Sequence, residues 1–281
     1  MIQPPQRRPF EMPSVMRNSV VGDEYPQKNH SGYVGKRLFD IVASLFILFI
    51  SGPVVLVCVF LVWLQDFHSP FYLARRVGRY NQDFTMIKIR SMVTMADSSG
   101  VNSTGAHDQR ITRVGRFIRR FKMDEISQAF NVLRGDMSMI GPRPNTRDWG
   151  VDLYTATEKR ILTVRPGITD LSSILFSDEG AILDGAEHPD LLYNQVIRPW
   201  KSRLALWYIE NMSFTLDLKL CWLTFLAIIN KPKANAGVVA LLKKNNADST
   251  LIKICRREGK LPASPPPGAS AVETGAIYSH N

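Results

Sequence analysis

The chain has 281 residues, and its 35 lysines and arginines against 25 aspartates and glutamates give a formal net charge of +10. This length allows one good domain with tails, and the positive balance favours anionic partners: nucleic acid, acidic lipid headgroups or phosphorylated substrates. Three scattered cysteines, Cys58, Cys221 and Cys255, and five histidines without a cluster argue against a disulfide framework or a structural zinc site.

Residues 1–32 are polar, contain prolines and have no apolar periodicity, so we predict that they are disordered. A long apolar run follows, which carries no charge from Ile41 to Leu64. About 20 apolar residues suffice to cross a bilayer, so this run is long enough. It begins too far into the chain, and is too long, for a cleavable signal peptide. We therefore predict a membrane helix over residues 33–66.

Two features argue against a simple membrane span. The tripeptide Ser-Gly-Pro at 51–53 lies near the middle, and Pro53 removes a backbone donor, which predicts a kink or break in the helix. Lysines and arginines flank the run on both sides, whereas a single span has a bias to one side. A re-entrant helix-break-helix satisfies both observations, and a kinked span or a buried soluble helix are the alternatives. Asp40, one turn in, either complements the helix dipole or pairs with Lys36 or Arg37.

Two elements are predicted after the membrane segment. A short strand that includes Phe84 and Ile89, with a turn at 78–81, predicts a β-hairpin. Farther on, an apolar helical face is formed at i, i+3, i+4 and i+7 by Val114, Phe117, Ile118 and Phe121, with arginines off that face. Such a basic amphipathic helix commonly lies on a membrane surface or a polyanion, and a solvated charged face is the equal alternative.

Adjacent carboxylates, Asp124 and Glu125, follow this basic helix. Asp124 fits the N-cap of a second helix that ends at Gly135, but both acids can also point into one cleft at a helix start. A carboxylate can attack phosphorus to form an acyl phosphate, if arginines and Mg²⁺ neutralise the charge, and a second carboxylate can act as general base. Arg143 lies between two prolines, so it is either a preorganised phosphate ligand or an ordinary turn arginine.

Several ordered motifs carry a resemblance to a known family over residues 33–229. They are K-R-L-F-D (36–40), R-V-G (76–78), K-I-R-S-M (88–92), D-Q-R-I-T-R-V-G-R-F-I-R (108–119), M-D-E (123–125), N-V-L-R-G-D-M-S-M-I-G-P-R-P (131–144), R-P-G-I-T (165–169) and L-D-L-K (216–219). In these motifs the chain resembles the bacterial sugar transferases, the monotopic polyprenyl-phosphate phosphoglycosyl transferases.

The resemblance implies a Mg²⁺-dependent enzyme that moves a sugar-1-phosphate from a UDP-sugar to undecaprenyl phosphate and releases UMP. It implies that Asp124 is the nucleophile and metal contact, and that Glu125 activates the lipid phosphate. The basic residues that it implies for phosphate or substrate binding are Lys88, Arg90, Arg119, Arg143 and Arg165. The partners expected are the two substrates and the anionic inner leaflet, not nucleic acid, and the location expected is the cytoplasmic face of the bacterial inner membrane.

The expected fold is α+β and helix-rich: a monotopic membrane protein with a re-entrant helix broken at Pro53 and a small cytoplasmic catalytic domain with interfacial amphipathic helices. The expected divisions are a disordered segment at 1–32, the membrane helix at 33–66, the catalytic domain at 67–230 and a flexible basic and Pro-rich tail at 231–281. The apolar stretch 220–229 is expected either at the membrane interface, with Trp207 and Trp222, or in the core.

The chain departs from the family pattern where Asp170 replaces the glycine of R-P-G-I-T-G and where "LSSILFSDEGAILDG" follows. This departure leaves the sugar and nucleotide contacts of the region open. A product that starts exopolysaccharide, capsule or O-antigen assembly is expected. The alternative function is a non-enzymatic, membrane-anchored protein that binds anionic lipid or nucleic acid through its basic helix.

Overall fold

A computed structural model describes residues 35–96, 108–148 and 150–273. The expectation of disorder over residues 1–32 therefore lies outside the described residues. The described chain is helix-rich α+β, as predicted, with two small sheets. Its helices are α1 Lys36–Asp66, α2 Arg113–Arg120, α3 Met123–Ile126, α4 Ala129–Arg134, α5 Ala156–Lys159, α6 Leu171–Leu175, α7 Glu179–Leu183, α8 Pro189–Leu192, α9 Arg198–Asn211, α10 Phe214–Ile229, α11 Lys231–Lys244 and α12 Ser249–Cys255.

The predicted hairpin is confirmed. Strands β1 (Phe71–Val77) and β2 (Asp83–Ile89) pair antiparallel, in a register that places Phe71 opposite Ile89. A second, parallel pair joins β3 (Ser138–Ile140) to β4 (Gly167–Thr169). The backbones approach closely just after β3, because a Cβ atom on Gly167 would lie 2.1 Å from the amide nitrogen of Gly141. Only glycine fits there, and this contact fixes the start of the Pro-Arg-Pro turn.

Helix α1 is continuous from Lys36 to Asp66 and contains Pro53 in its interior. The prediction of two separate helices is therefore wrong at the level of secondary structure. A proline removes one hydrogen bond of the helix, and the flanking turns here keep the helical conformation around that gap. At the same place, the Ser51 hydroxyl donates to the Ile47 carbonyl at 2.5 Å. Whether the helix returns to one membrane face stays a prediction.

One face of α1 lies against the rest of the protein along its length. Ala43 and Ile47 pack on the main core, and Cys58 and Val62 form a second cluster with Ile118 of α2. The opposite face is exposed and apolar; its most exposed side chain is Phe49, at 82%. By length and composition this is the single helix of the described residues suited to cross a membrane, and 11% of its most apolar stretch is buried. That exposure is unlike the core helix of a soluble protein.

The N-terminal end of α1 is held by buried polar contacts. Asp40 accepts hydrogen bonds from the Ser138 hydroxyl (2.9 Å) and the Met139 amide (3.0 Å), so it fastens α1 to β3. Burial raises the pKa of Asp40, and the charge of Lys36 and these two hydrogen bonds act against that rise, so the predicted interaction with Lys36 is present beside them. Lys36 bonds the buried Asp217 of α10, and Arg37 bonds the last carbonyls of α4.

The core lies around α9, from which Trp200, Leu204 and Tyr208 are buried. Trp207 is also buried, so its predicted place at the membrane interface is wrong, whereas Trp222 on α10 is 62% exposed. The contrast follows from the neighbours of each helix: α9 is covered by several elements, but α10 buries one side only.

The C-terminal region is folded, so the prediction of a flexible tail is wrong over its described part. Helices α11 and α12 bury apolar residues in the main core, including Val238 and Leu242. The Pro-rich segment 261–273 is bound through its carbonyl groups: Pro262 accepts from the Trp200 indole at 3.2 Å and Pro265 from Arg203 at 2.9 Å. The Pro-rich composition by itself indicated disorder. It could not reveal Trp200 and Arg203, the partners that hold the segment, because both are distant from it in sequence.

Candidate active site

A sharp corner between α2 and α3 presents the two adjacent carboxylates. Lys122 adopts the left-handed conformation (φ 53°) and ends the turn that reverses the chain after Arg120. Helix α3 begins at Met123 with Lys122 at its N-cap, so Asp124 is inside the first turn and is not the cap. The N-cap alternative for Asp124 is excluded. Its carboxylate makes no hydrogen bond or ion pair within the described chain and opens into a cavity.

The hairpin holds this corner in place. The Asn131 side chain of α4 accepts from the Ile87 amide at 2.9 Å and donates to the Thr85 carbonyl at 2.7 Å. The Ser127 hydroxyl donates to the Ile87 carbonyl at 3.0 Å. These bonds join α3 and α4 to β2, and Lys88, the next residue of β2, lines the cavity together with Asp124 and Glu125. Gly135 ends α4 with φ 101°, as predicted.

The positive charge of Lys88 is sensitive to its surroundings. Burial is the main reason that the pKa of Lys88 falls to about 8; the charge of Arg143 lowers the pKa further, and Asp124 and Glu125 oppose the fall. For Asp124, burial raises the pKa, the charge of Lys88 lowers it, and the negative charge of Glu125 raises it again. A carboxylate with a raised pKa is a stronger nucleophile than a solvated one, which suits attack on phosphorus.

Glu125 is held by Arg143. The guanidinium Nη2 donates to Glu125 Oε1 at 2.7 Å. Burial alone would raise the pKa of Glu125, but the charges of Arg143, Lys88 and Lys122 outweigh it, so the pKa is lowered. Glu125 is therefore ionised here, and it positions the arginine of the Pro-Arg-Pro turn. Arg143 lines the cavity, and its role as a phosphate ligand stays a prediction.

Arg119 lies on the same side of the cavity. Its Nε donates to the Ser91 hydroxyl at 2.8 Å, and burial lowers its pKa while the charge of Asp124 raises it. The helix that carries Arg119 is seated closely, since a Cβ on Gly115 would lie 1.9 Å from the Ser91 carbonyl oxygen. The structure thus brings together five of the seven residues predicted for catalysis or substrate binding: Lys88, Arg119, Asp124, Glu125 and Arg143.

Two predicted phosphate ligands lie elsewhere and are corrected. The Arg90 guanidinium is bound by the Asp66 carboxylate and by the Ser69 carbonyl at 2.9 Å, so it joins the end of α1 to the hairpin. The Arg165 Nε donates to the Gly135 carbonyl at 2.9 Å, at the end of α4. Neither lines the cavity that contains Asp124. Motif membership did not separate these arginines from Arg119, because all three lie within matched motifs.

The cavity measures about 460 Å³, within the range of sites that bind small molecules. Its far wall comes from α6 to α9, a region whose contacts the sequence left open. Wall residues that sequence reasoning missed include Ser173, Glu179, Tyr193, Arg198 and Lys201. No motif marks them in the sequence. Asp170, the departure from the family pattern, is the N-cap of α6 and accepts from the Ser173 amide at 2.6 Å.

The donor set at Asp124 fits a magnesium ion bound together with substrate. Mg²⁺ commonly takes one or two carboxylates and completes its shell with waters and substrate phosphates. The open carboxylate of Asp124 supplies such a ligand. Within the described ranges, no three histidine, cysteine or acidic side chains form a metal-binding group of their own. The residues therefore fit an ion that arrives with a phosphorylated substrate.

The order of motifs and the geometry of the carboxylate corner agree with a family comparison. The model of the family "Bacterial sugar transferase" matches residues 31–231. The chain belongs to the bacterial sugar transferase family. The matched range ends at the first residue of α11, so the rest of α11, α12 and the Pro-rich segment lie beyond it.

Curated relatives are similar over about two thirds of this chain. An "Uncharacterized sugar transferase EpsL" of Bacillus subtilis is 35% identical over 189 residues, which are 67% of this chain and 84% of that protein. An "Undecaprenyl-phosphate glucose phosphotransferase" of Komagataeibacter xylinus is 36% identical, over 67% of this chain and 35% of the relative. A "UDP-N-acetylgalactosamine-undecaprenyl-phosphate N-acetylgalactosaminephosphotransferase" of Aeromonas hydrophila is 32% identical, over 69% of this chain and 43% of that protein. The chain thus spans less than half of the last two.

Proposed function

We propose that this protein transfers a sugar-1-phosphate from a UDP-sugar to undecaprenyl phosphate and releases UMP, as the first step of exopolysaccharide, capsule or O-antigen assembly. The observation that carries the proposal is the open carboxylate of Asp124 in a cavity lined by Lys88, Arg119 and Arg143. The names of two similar proteins, which specify transfer to undecaprenyl phosphate, support the acceptor.

The first step is attack by an Asp124 carboxylate oxygen on the phosphorus that bears the sugar. The bond from that phosphorus to the bridging oxygen of the diphosphate breaks, and UMP leaves with the bridging oxygen. The product is an acyl phosphate between Asp124 and the sugar-1-phosphate. Lys88, Arg119 and Arg143 lower the repulsion between the carboxylate and the diphosphate, because each places a positive charge on the cavity surface.

In the second step, an oxygen of undecaprenyl phosphate attacks the same phosphorus, and the bond to Asp124 breaks. Glu125 is the base that assists this attack. In the structure the charges of Arg143, Lys88 and Lys122 lower the pKa of Glu125, so Glu125 is ionised and able to accept a proton. Asp124 would hold Mg²⁺ together with the substrate, and the ion would supply further charge neutralisation at the phosphates.

The Asp124→Asn variant tests the reaction. The amide keeps the shape of the side chain but is a poor nucleophile, so UMP release should fall by about a thousandfold or more. The assay uses detergent-solubilised protein with Mg²⁺, undecaprenyl phosphate and a panel of UDP-sugars. Asp148→Asn is the matched control, because Asp148 is exposed and does not line the cavity.

UMP release by Asp124→Asn at the rate of the unaltered protein would overturn the assignment of the nucleophile. Steeply salt-dependent polyanion binding without UMP release from any UDP-sugar would favour the non-enzymatic alternative.

The proposed location is the cytoplasmic face of the inner membrane, with both ends of α1 on that face. Support comes from the attachment of both ends to one folded domain: Asp40 bonds β3 near the start, and Asp66 bonds Arg90, next to β2, at the end. A straight span of this length would separate its ends by about 45 Å. The exposed apolar face of α1, rather than its ends, would then enter the lipid.

Cysteine labelling tests this arrangement. Single cysteines at Gly35 and His68, in a background without Cys58, Cys221 and Cys255, should both resist a membrane-impermeant maleimide in intact cells. Both should react after permeabilisation. Labelling of one position but not the other in intact cells would show a span and contradict the re-entrant arrangement.

A further inference from the structure

The cavity has two sides that differ in chemistry. The side of α2, α3 and β2 carries the carboxylates and the phosphate-directed cations. The opposite wall is formed by α6, α7, α9 and the π-helical turn Tyr193–Ile197, which precedes α9. This wall contains the stretch in which the chain departs from the family pattern, and it does not contribute the reacting carboxylate.

Three side chains form a polar cluster on this wall. The Lys201 ammonium donates to Glu179 Oε2, and its nitrogen lies 5.3 Å from the centre of the Tyr193 ring. The ammonium has three donors and Glu179 has two acceptor oxygens, so the ion pair leaves capacity on both groups. Ser173, on the neighbouring α6, has a buried hydroxyl that finds no partner among the described residues. The wall therefore offers both donors and acceptors to an occupant of the cavity.

The cluster is close to electrically neutral. Burial acts to lower the pKa of Lys201, but Tyr193 and the charge and hydrogen bond of Glu179 outweigh it, so the pKa is raised and Lys201 and Glu179 form a cation–anion pair. Arg198, the other cation of this wall, is paired with the buried Glu158 at 3.1 Å and with Glu273 at 3.0 Å. A phosphate or carboxylate gains little from such a surface, whereas hydroxyl groups can both donate to Glu179 and accept from Lys201.

The cluster lines the same cavity as Arg143, a cation of the side that would bind the diphosphate. Burial raises the pKa of Tyr193, and the charges of Lys201 and Arg143 act against that rise. Arg143 and this cluster line one cavity, so a ligand whose phosphates bind Arg143 can extend the group next to those phosphates towards this wall. In a UDP-sugar that group is the transferred sugar on one side of the diphosphate and the ribose on the other.

We propose that Glu179, Lys201 and Tyr193 recognise the hydroxyl groups of the transferred sugar and select an uncharged ring over a uronic acid. This inference rests on the proposed function, since it places the donor in the same cavity. Glu179 accepts from ring hydroxyls, Lys201 donates to them, and Tyr193 fixes the position of the ammonium. A sugar carboxylate is rejected because it would face the carboxylate of Glu179.

The test compares Glu179→Gln with the unaltered protein, with UDP-glucose, UDP-glucuronate and UDP as probes. Binding is measured by calorimetry and turnover by UMP release. The change is nearly isosteric and leaves the Lys201 cation without its anion. We expect UDP-glucose binding and kcat/KM to fall about tenfold, the size of one hydrogen bond to a charged group, and the preference to shift towards UDP-glucuronate by at least as much.

Two further variants sharpen the test. Tyr193→Phe removes only a hydroxyl and should weaken UDP-glucose binding less than Glu179→Gln does. Glu187→Gln is the matched control, because Glu187 is an exposed acid of the same segment and does not line the cavity. The shift towards a new ligand in Glu179→Gln cannot arise from misfolding, since an unfolded site gains affinity for nothing.

The outcomes separate this inference from the proposed function. Equal losses of UDP and UDP-glucose binding in Glu179→Gln would place the ribose, not the sugar, against the wall and overturn the assignment. Unchanged binding and an unchanged preference would also overturn it, while leaving the proposed function intact. If the unaltered protein binds no UDP-sugar, the proposed function fails, and this inference fails with it.

Discussion

Lys88 is the residue whose charge state is most open to change near neutral pH. Its pKa of about 8 means that it is cationic below that pH and neutral above it. Lys88 is the largest attractive charge acting on Asp124 and, after Arg143, the second largest acting on Glu125, so loss of the Lys88 charge leaves both carboxylates less well compensated. The diphosphate of the donor loses the same positive charge when Lys88 becomes neutral.

The pH profile of kcat/KM should therefore decline above about pH 8, because this parameter reports the ionisation of the free enzyme. In Lys88→Arg the alkaline decline should move to higher pH, since a guanidinium stays charged. The measurement is initial UMP release from pH 6 to 10, with saturating undecaprenyl phosphate. An alkaline decline at the same pH in both proteins would assign it to another group.

The sequence predicted a place for Asp124, Glu125 and Arg143 in the candidate site, because the two acids are adjacent and the arginine lies between two prolines. It did not distinguish Arg119, which reaches the cavity, from Arg90 and Arg165, which bind Asp66 and a helix-end carbonyl. An arginine within a matched motif can bind either a phosphate or a protein group such as a carboxylate or a backbone carbonyl. Only the positions of its neighbours decide between them.

At the scale of elements, α1 is fastened to the catalytic domain by a carboxylate rather than by apolar packing alone. Asp40 accepts hydrogen bonds from two donors of β3, and β3 leads directly into the Pro-Arg-Pro turn. The attachment of α1 and the position of Arg143 are thus connected through one short strand. A change at Asp40 should affect both stability and activity.

Replacement of Asp40 by leucine should lower the free energy of unfolding by about 2 to 4 kcal/mol, because the Ser138 hydroxyl and the Met139 amide lose their buried acceptor. Asp40→Asn should cost less, since its amide oxygen can still accept. Thermal unfolding in detergent compares the two variants. Equal destabilisation by leucine and asparagine would show that hydrogen bonding is not the reason for the loss.

The predicted elements were correct where the signal is local. A short apolar strand and a turn at 78–81 predicted the hairpin, and a glycine marked the end of α4 at Gly135. The break at Pro53 was wrong, because a proline rule describes one residue, whereas a helix of this length is also stabilised by contacts along its packed face. The apolar face of α2 is only partly buried, and Phe117 remains 52% exposed beside α1.

At the scale of the whole molecule, the C-terminal region completes the catalytic domain. Its helices cover the side of α6 and α9 that faces away from the cavity, and Glu273 bonds Arg198 on the cavity wall. The region lies beyond the range that the family model matches. The far wall of the active site is therefore supported by a part of the chain outside the shared core of the family.

Truncation after Lys260 should destabilise the protein. It removes the acceptors of the Trp200 indole and Arg203 and one partner of the buried Arg198, at about 1 kcal/mol or more for each hydrogen bond. The midpoint of thermal unfolding should fall, and UMP release should fall with it. Truncation after Glu273 is the control, because it keeps every described contact. Equal stability of the two truncated proteins would contradict the supporting role.

The sequence by itself indicated the family, the membrane-suited helix, the hairpin and the adjacent acids Asp124 and Glu125 as candidate catalytic residues, because each depends on residues close together in the chain. Only the tertiary structure decided that Asp124 is an open side chain rather than a helix cap, that Arg90 and Arg165 hold the scaffold, that residues 231–273 are folded, and that Glu179 and Lys201 face the cavity. These depend on contacts between distant segments, where burial and available partners, not local propensity, set the role of each side chain.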